Sequence, residues 1–113
     1  MTERQLKLLY DIEIAIDEID SYFETEATKT YENYRTNSIL RRAVERNLEI
    51  IGEAMNRLIK ENPDFTIENA YKIIGLRNQI IHGYDSVSDE NIWGIIILHL
   101  PKLKSEVNSL INK

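Results

Sequence analysis

Arg77, Asn78, His82 and Tyr84 stand out within the segment Gly75-Leu76-Arg77-Asn78-Gln79-Ile80-Ile81-His82-Gly83-Tyr84. An imidazole titrates near neutral pH, so it can take a proton from an RNA 2′-hydroxyl or give one to the leaving 5′-oxygen. A guanidinium can hold the phosphate bidentately while charge develops on it. These residue types therefore suit cleavage of an RNA phosphodiester without a metal. One histidine supplies one proton-transfer group. A second from a symmetry-related chain would complete an acid and base pair, which makes a homodimer with this helix at its interface useful to the chemistry. A purely structural reading of the same residues is also open: Arg77 as an ion-pair partner, His82 as a helix-capping group and Tyr84 as a packing aromatic.

Other chemistries find little support. Only His82 and His99 are available as histidines and there is no cysteine, so disulfides, zinc ribbons, iron–sulfur clusters and thiol nucleophiles are not expected. His99 pairs with no second ligand at periodic spacing and reads as structural. No phosphate-cradling glycine loop or Gly-x-Ser-x-Gly elbow occurs. No cofactor is expected.

The cluster must be positioned by helices, because the apolar spacing is helical throughout. Leu6, Leu9, Ile12, Ile16, Ile19 and Phe23 predict a first helix over residues 3–23, with Glu13, Asp17, Asp20 and Glu24 as an acidic second line. That line reads first as a solvated face, then as a docking strip for a basic partner, and last as a Mg²⁺ site. Residues 24–35 lose the period and read as a loop or weak helical start. Leu40, Val44, Leu48, Ile51, Met55 and Leu58 form a second helix that Asn62-Pro63 stops. Phe65 and Thr66 look like a staple and N-cap for a third, running through Ala70, Tyr71, Ile74 and Ile81 to a capping Gly83. Val87 and Ser88 open a fourth, in which Trp93, Ile96, Ile97 and Leu100 lead to Pro101, where a kink or restart is expected. Gly52, Gly75 and Gly94 fall inside helices, which predicts close helix–helix approach at each.

The sequence thus reads as an all-α, antiparallel, up-and-down bundle of four to five helices in a single domain spanning 1–113. At 113 residues, with 42% hydrophobic and 29% charged side chains, a domain of this size gains from burying more surface in an oligomer. The N-terminus does not read as a signal peptide and no 18-residue apolar run exists, so a cytoplasmic, non-membrane protein is expected. The net charge of −5 argues at first against a nucleic-acid ligand. Its distribution qualifies this: residues 33–60 carry six basic against three acidic groups, the chain's only net-positive segment. Arg35, Arg42 and Arg46 are accordingly candidates for guiding an RNA backbone, the alternative being pairing with carboxylates of the first helix or with Glu45 and Glu49.

The segment Arg77-Asn78-x-x-x-His82-x-Tyr84 resembles the Arg-x-x-x-x-His-x-Tyr motif of the HepT toxins, small helical ribonucleases of the HEPN superfamily. Ala43-Val44-Glu45-Arg46-Asn47-Leu48-Glu49-Ile50-Ile51-Gly52-Glu53-Ala54 is similar to that family's second-helix signature. Trp93 in the last helix and Leu100-Pro101-x-Leu103 extend the likeness over nearly the whole chain from Leu6. Where relatives commonly carry Pro-Trp, this chain reads Pro63-Asp64-Phe65, with Phe65 in the aromatic's place.

The resemblance implies a homodimeric toxin that cleaves RNA without metal, encoded beside a nucleotidyltransferase antitoxin of the MNT type. It assigns catalysis to Arg77 and His82, the polar position after the arginine to Asn78, and regulatory AMP addition to Tyr84. A different class remains open, a noncatalytic helical dimer module that binds and regulates a nucleotidyltransferase.

Overall fold

The computed structural model describes residues 1–25, 28–65, 67–68, 70–82 and 88–112, and every regular element among them is helical. Helix α1 (Glu3–Thr25) extends the expected 3–23 by two residues and starts in a reciprocal cap. The Thr2 hydroxyl accepts from the Gln5 amide at 3.1 Å, and Gln5 Oε1 accepts from the Thr2 amide at 3.3 Å. Two otherwise orphaned donors are thereby satisfied. Its apolar stripe is buried through Leu9, Ile12, Ile16, Ile19 and Phe23.

Of the loop or weak helical start expected at 24–35, the helical reading holds over Tyr31–Thr36, which forms a short helix, α2. Thr30 caps it by accepting from the Asn33 amide at 3.1 Å. Six residues cannot hold a helix alone in water. Tertiary packing supplies the difference: Tyr34 is fully buried, and Trp93 collects Phe23, Tyr31 and Tyr34 around it at centroid distances of 5.8, 6.1 and 5.9 Å. The Tyr34 hydroxyl is buried without a hydrogen-bond partner, and burial pushes its pKa well above the ordinary phenol range.

Helix α3 (Ser38–Glu61) is capped by Asn37, whose side chain accepts from the Leu40 amide at 3.0 Å. It is the central element, packed on α1 along one side and on α4 (Ala70–His82) along the other, while α1 also packs on α6 (Leu100–Ile111). Asn47 is buried in the α1–α3 seam, where its amide donates to the Ala15 carbonyl at 3.1 Å. The bond offsets the cost of burying a polar side chain there.

The α4 stripe differs from expectation. Ala70, Ile73 and Leu76 are buried, whereas Tyr71 is 75% exposed and Ile81 39% exposed. With its main packing partner in α3, α4 is an edge helix with one covered face, so apolar side chains on its other face remain in solvent. The expected N-cap Thr66 lies outside the described residues, as do Gly83 and Val87. Phe65 is half-buried against the core.

The last long helical stretch is continuous but not uniform. Ser88 caps α5 (Asp89–Gly94) by accepting from the Asn91 amide at 3.1 Å. A π-helical turn (Ile95–His99) follows and α6 then begins, with Pro101 in its first turn. The Leu100 amide reaches back to the Ile95 carbonyl, five residues earlier. Widening the helix just ahead of proline accommodates a ring that would otherwise strike the preceding turn. Ile97, expected on the buried stripe, is 40% exposed. Among the described residues no helix is long and apolar enough to cross a membrane.

Candidate active site

Close helix approach occurs at one of the three glycines where it was expected. A Cβ on Gly52 would stand 2.5 Å from the Arg77 Cβ, 3.0 Å from its Cγ and 3.1 Å from the Ile73 carbonyl oxygen. At Gly75 and Gly94 a Cβ would meet nothing within 4 Å, so the expectation of tight packing there is corrected. Glycine at position 52 lets α4 settle on α3 at the turn that carries Arg77. The aliphatic stem of Arg77 lies over it, and Nε is buried without a hydrogen-bond partner.

From that buried base the guanidinium turns toward the surface, where Nη1 donates to Asn78 Oδ1 at 2.6 Å. Arg77 lies five residues before His82, about 140° around the helix, whereas Asn78 and His82 are four apart and share a face. The bond to Asn78 therefore draws the cation toward the face His82 occupies. Asn78 and His82 are both exposed, His82 as the last residue of α4. Among the described residues no hydrogen bond joins His82 to Arg77 or Asn78. Chemically, a guanidinium can donate to a phosphate while an imidazole stands beside it. Tyr84 lies outside the described residues.

The three candidate guiding arginines are exposed on α2 and α3, and carboxylates of their own helices engage two of them. Arg35 bonds Glu32 at 2.8 Å, and Arg46 bonds Glu49 at 3.1 Å. Arg46 is thus paired along its own helix with Glu49. Arg42 lies nearer the start of α3 than Gly52, toward the end of the bundle where α4 finishes, given that a short connection makes α3 and α4 antiparallel neighbours. At the same end Arg41 donates to the Arg35 carbonyl and stands 3.8 Å from Asp89, which ties the start of α5 to α3. Burial pushes the Glu45 carboxyl up, against the opposing charges of Arg42 and Arg41.

The acidic line of α1 is partly engaged as well, with Asp17 bonded to Lys104 at 2.8 Å and Asp20 3.9 Å from Lys29. No cluster of three or more histidine, aspartate or glutamate side chains suited to a metal ion occurs among the described residues. Reasoning from sequence did not assign Gly52 to Arg77. Its place in Ile51-Gly52-Glu53-Ala54, on a helix that otherwise avoids glycine, was the available signal.

A family model described as "Ribonuclease HepT-like" matches residues 12–110. The chain is 34% identical over 110 residues to "Putative RNase MJ1380" of Methanocaldococcus jannaschii, covering 95% of this chain and 97% of that protein. It is 32% identical over 103 residues to "Putative RNase TTE0752" of Caldanaerobacter subterraneus subsp. tengcongensis, covering 90% and 92% respectively. "Putative RNase MJ1216" of Methanocaldococcus jannaschii is 30% identical over 113 residues, 98% of this chain and 91% of that protein. No solved structure matches the chain.

Proposed function

Because the chain belongs to the HepT-like ribonuclease family of the HEPN superfamily, we propose that it is a toxin-type endoribonuclease that cleaves RNA without a metal at a site shared by two copies. The single observation that carries this reading is the Arg77–Asn78 pair at 2.6 Å, which draws a guanidinium toward the face of α4 that ends in His82.

In this mechanism Arg77 holds the scissile phosphate and takes up the charge that develops on its oxygens, while Asn78 orients the guanidinium. The RNA 2′-oxygen attacks phosphorus as an imidazole accepts its proton. The bond from phosphorus to the 5′-oxygen then breaks, and that oxygen takes a proton from a second imidazole. The products are a 2′,3′-cyclic phosphate and a 5′-hydroxyl. His82 provides one imidazole and the symmetry-related chain the other, so the functional unit is a homodimer with two α4 helices facing a common cleft. Light scattering at micromolar concentration should give the mass of a dimer. A stable monomer with full activity would contradict the shared site.

Regulation falls to Tyr84 and to a nucleotidyltransferase partner of the MNT type. The phenol oxygen attacks the α-phosphorus of ATP, and pyrophosphate leaves. An AMP group two residues beyond His82 brings charge and bulk to where substrate phosphate must bind. Arg42, less engaged than Arg35 and Arg46, is the main candidate among the three for guiding the RNA backbone.

Expression of the wild type alone should arrest growth and fragment RNA, and co-expression with the neighbouring transferase should add the mass of one or more AMP units to the peptide containing Tyr84. Tyr84→Phe keeps the ring without the acceptor oxygen, so it should remain at least partly toxic and carry no AMP. An unmodified peptide in the presence of active transferase and ATP would replace the covalent switch with inhibition by docking.

A further inference from the structure

A groove of about 470 Å³ separates α4 from the α5–π stretch. It exists because Gly75 and Gly94 line its walls, each with open space where a Cβ would stand. Lys72 and Gln79 line it from α4 and His99 from the π turn, while Tyr71, 75% exposed, also lines it. Lys102 follows His99 by three residues, on the same side of the helical stretch and so beside the groove's π-turn wall, and burial, followed by the charges of Lys72 and Lys102, pushes the His99 imidazole below its ordinary range. Glu90 is an acid on the wall; burial first, and after it the Glu90 charge, push the Tyr31 phenol above its ordinary range.

The groove also leads to the proposed site. Tyr71, Gly75, Asn78 and His82 follow one another at spacings of four, three and four, a single stripe along the outer face of α4. Gly75 is about 10 Å from His82 along the helix axis, given a rise of about 1.5 Å per residue.

Resting on the ribonuclease reading, we propose that this groove holds the RNA strand on one side of the cut, with a backbone phosphate between Lys72 and Lys102 and a base stacked on Tyr71. An exposed aromatic flanked by cations is the chemistry that takes a single strand without regard to sequence. A second copy of the chain fits less well, because lysine is disfavoured at the centre of protein–protein interfaces and here lines the wall. The two glycines allow a sugar–phosphate chain to approach the helix backbones where side chains would exclude it.

The test compares wild type, the double variant Lys72→Gln/Lys102→Gln, and Tyr71→Ser on an unstructured RNA oligonucleotide. Affinity across a salt series is measured in a His82→Ala background so that the RNA stays intact. The double variant should raise KM about tenfold with kcat changed less than about twofold, and should make the salt dependence shallower by roughly 0.7 in log–log slope for each RNA phosphate that the protein no longer neutralises. Tyr71→Ser should weaken binding about tenfold, with its effect little dependent on salt. Unchanged KM and salt slope in protein that still cleaves RNA would overturn the groove assignment and leave the ribonuclease reading standing. Wild type that neither binds nor cleaves RNA would overturn both. Dissociation of a dimer by Tyr71→Ser, with RNA affinity intact in the lysine variant, would overturn the proposal in favour of an interface between copies.

Discussion

Arg77→Ala and His82→Ala are each expected to lower RNA cleavage by about 10²–10⁴-fold while leaving the fold intact, the range that removal of a proton-transfer group or a charge-stabilising donor produces. His82 is exposed at the end of α4, so its loss should change stability by no more than about 0.5 kcal/mol. Arg77 has its stem over Gly52, and alanine keeps the Cβ that makes the closest approach there. Arg77→Lys should be severely impaired too. An ammonium cannot present a planar fork to a phosphate, and it has no second nitrogen with which to bond Asn78 and substrate in one plane. Initial rates on a defined RNA, with circular dichroism on the same samples, check these expectations. A His82→Ala variant with near wild-type rates would remove imidazole chemistry from the account.

The next largest effect is expected at a residue that contributes no side chain. Gly52→Ala places a methyl group 2.5 Å from the Arg77 Cβ and 3.1 Å from the Ile73 carbonyl, and neither is a flexible side-chain end that can swing aside. The α3 and α4 backbones must part. Overpacking of this kind costs about 1–3 kcal/mol, and a displacement of about 1 Å at a catalytic group can cost on the order of 10²-fold in rate. Purified Gly52→Ala should therefore unfold at lower temperature than wild type and, while fully folded at low temperature, show a depressed kcat. Gly94→Ala provides the contrast: a methyl group there meets nothing within 4 Å, so removing a helical glycine should stabilise by up to about 1 kcal/mol. Equal unfolding temperatures for the two variants would mean that the Gly52 crossing does not hold Arg77.

Where local chemistry decides, the fold was legible in the sequence. The stripe of α1, the Asn62-Pro63 stop of α3, the Ser88 cap and the restart at Pro101 all follow from spacing, side-chain acceptors and a missing amide donor. Helix α2 was legible only as one of two readings, a loop or a weak helical start, because Tyr31 and Tyr34 are held by Trp93, some sixty residues away in sequence. Periodicity places Tyr71 inward because it reports that a face is apolar but not whether a neighbour covers it, and α4 has its main neighbour on one side only. The three glycines carried one signal and have different surroundings: what faces a missing Cβ is a long-range fact. At the site, helical geometry placed Asn78 and His82 together and required a long reach from Arg77. The bond to Asn78 that directs that reach depends on how the stem leaves Gly52, which spacing cannot give.

The proposed mechanism makes its sharpest statement about the ends of the cut RNA. Purified wild type incubated with an unstructured oligonucleotide in excess EDTA, with product ends identified by mass spectrometry, tests it most directly. The expected result is cleavage that persists without divalent ions, leaves a 2′,3′-cyclic phosphate and a 5′-hydroxyl, and is lost in Arg77→Ala. RNA left intact until Mg²⁺ is added, or fragments ending in a 3′-hydroxyl and a 5′-phosphate, would contradict it.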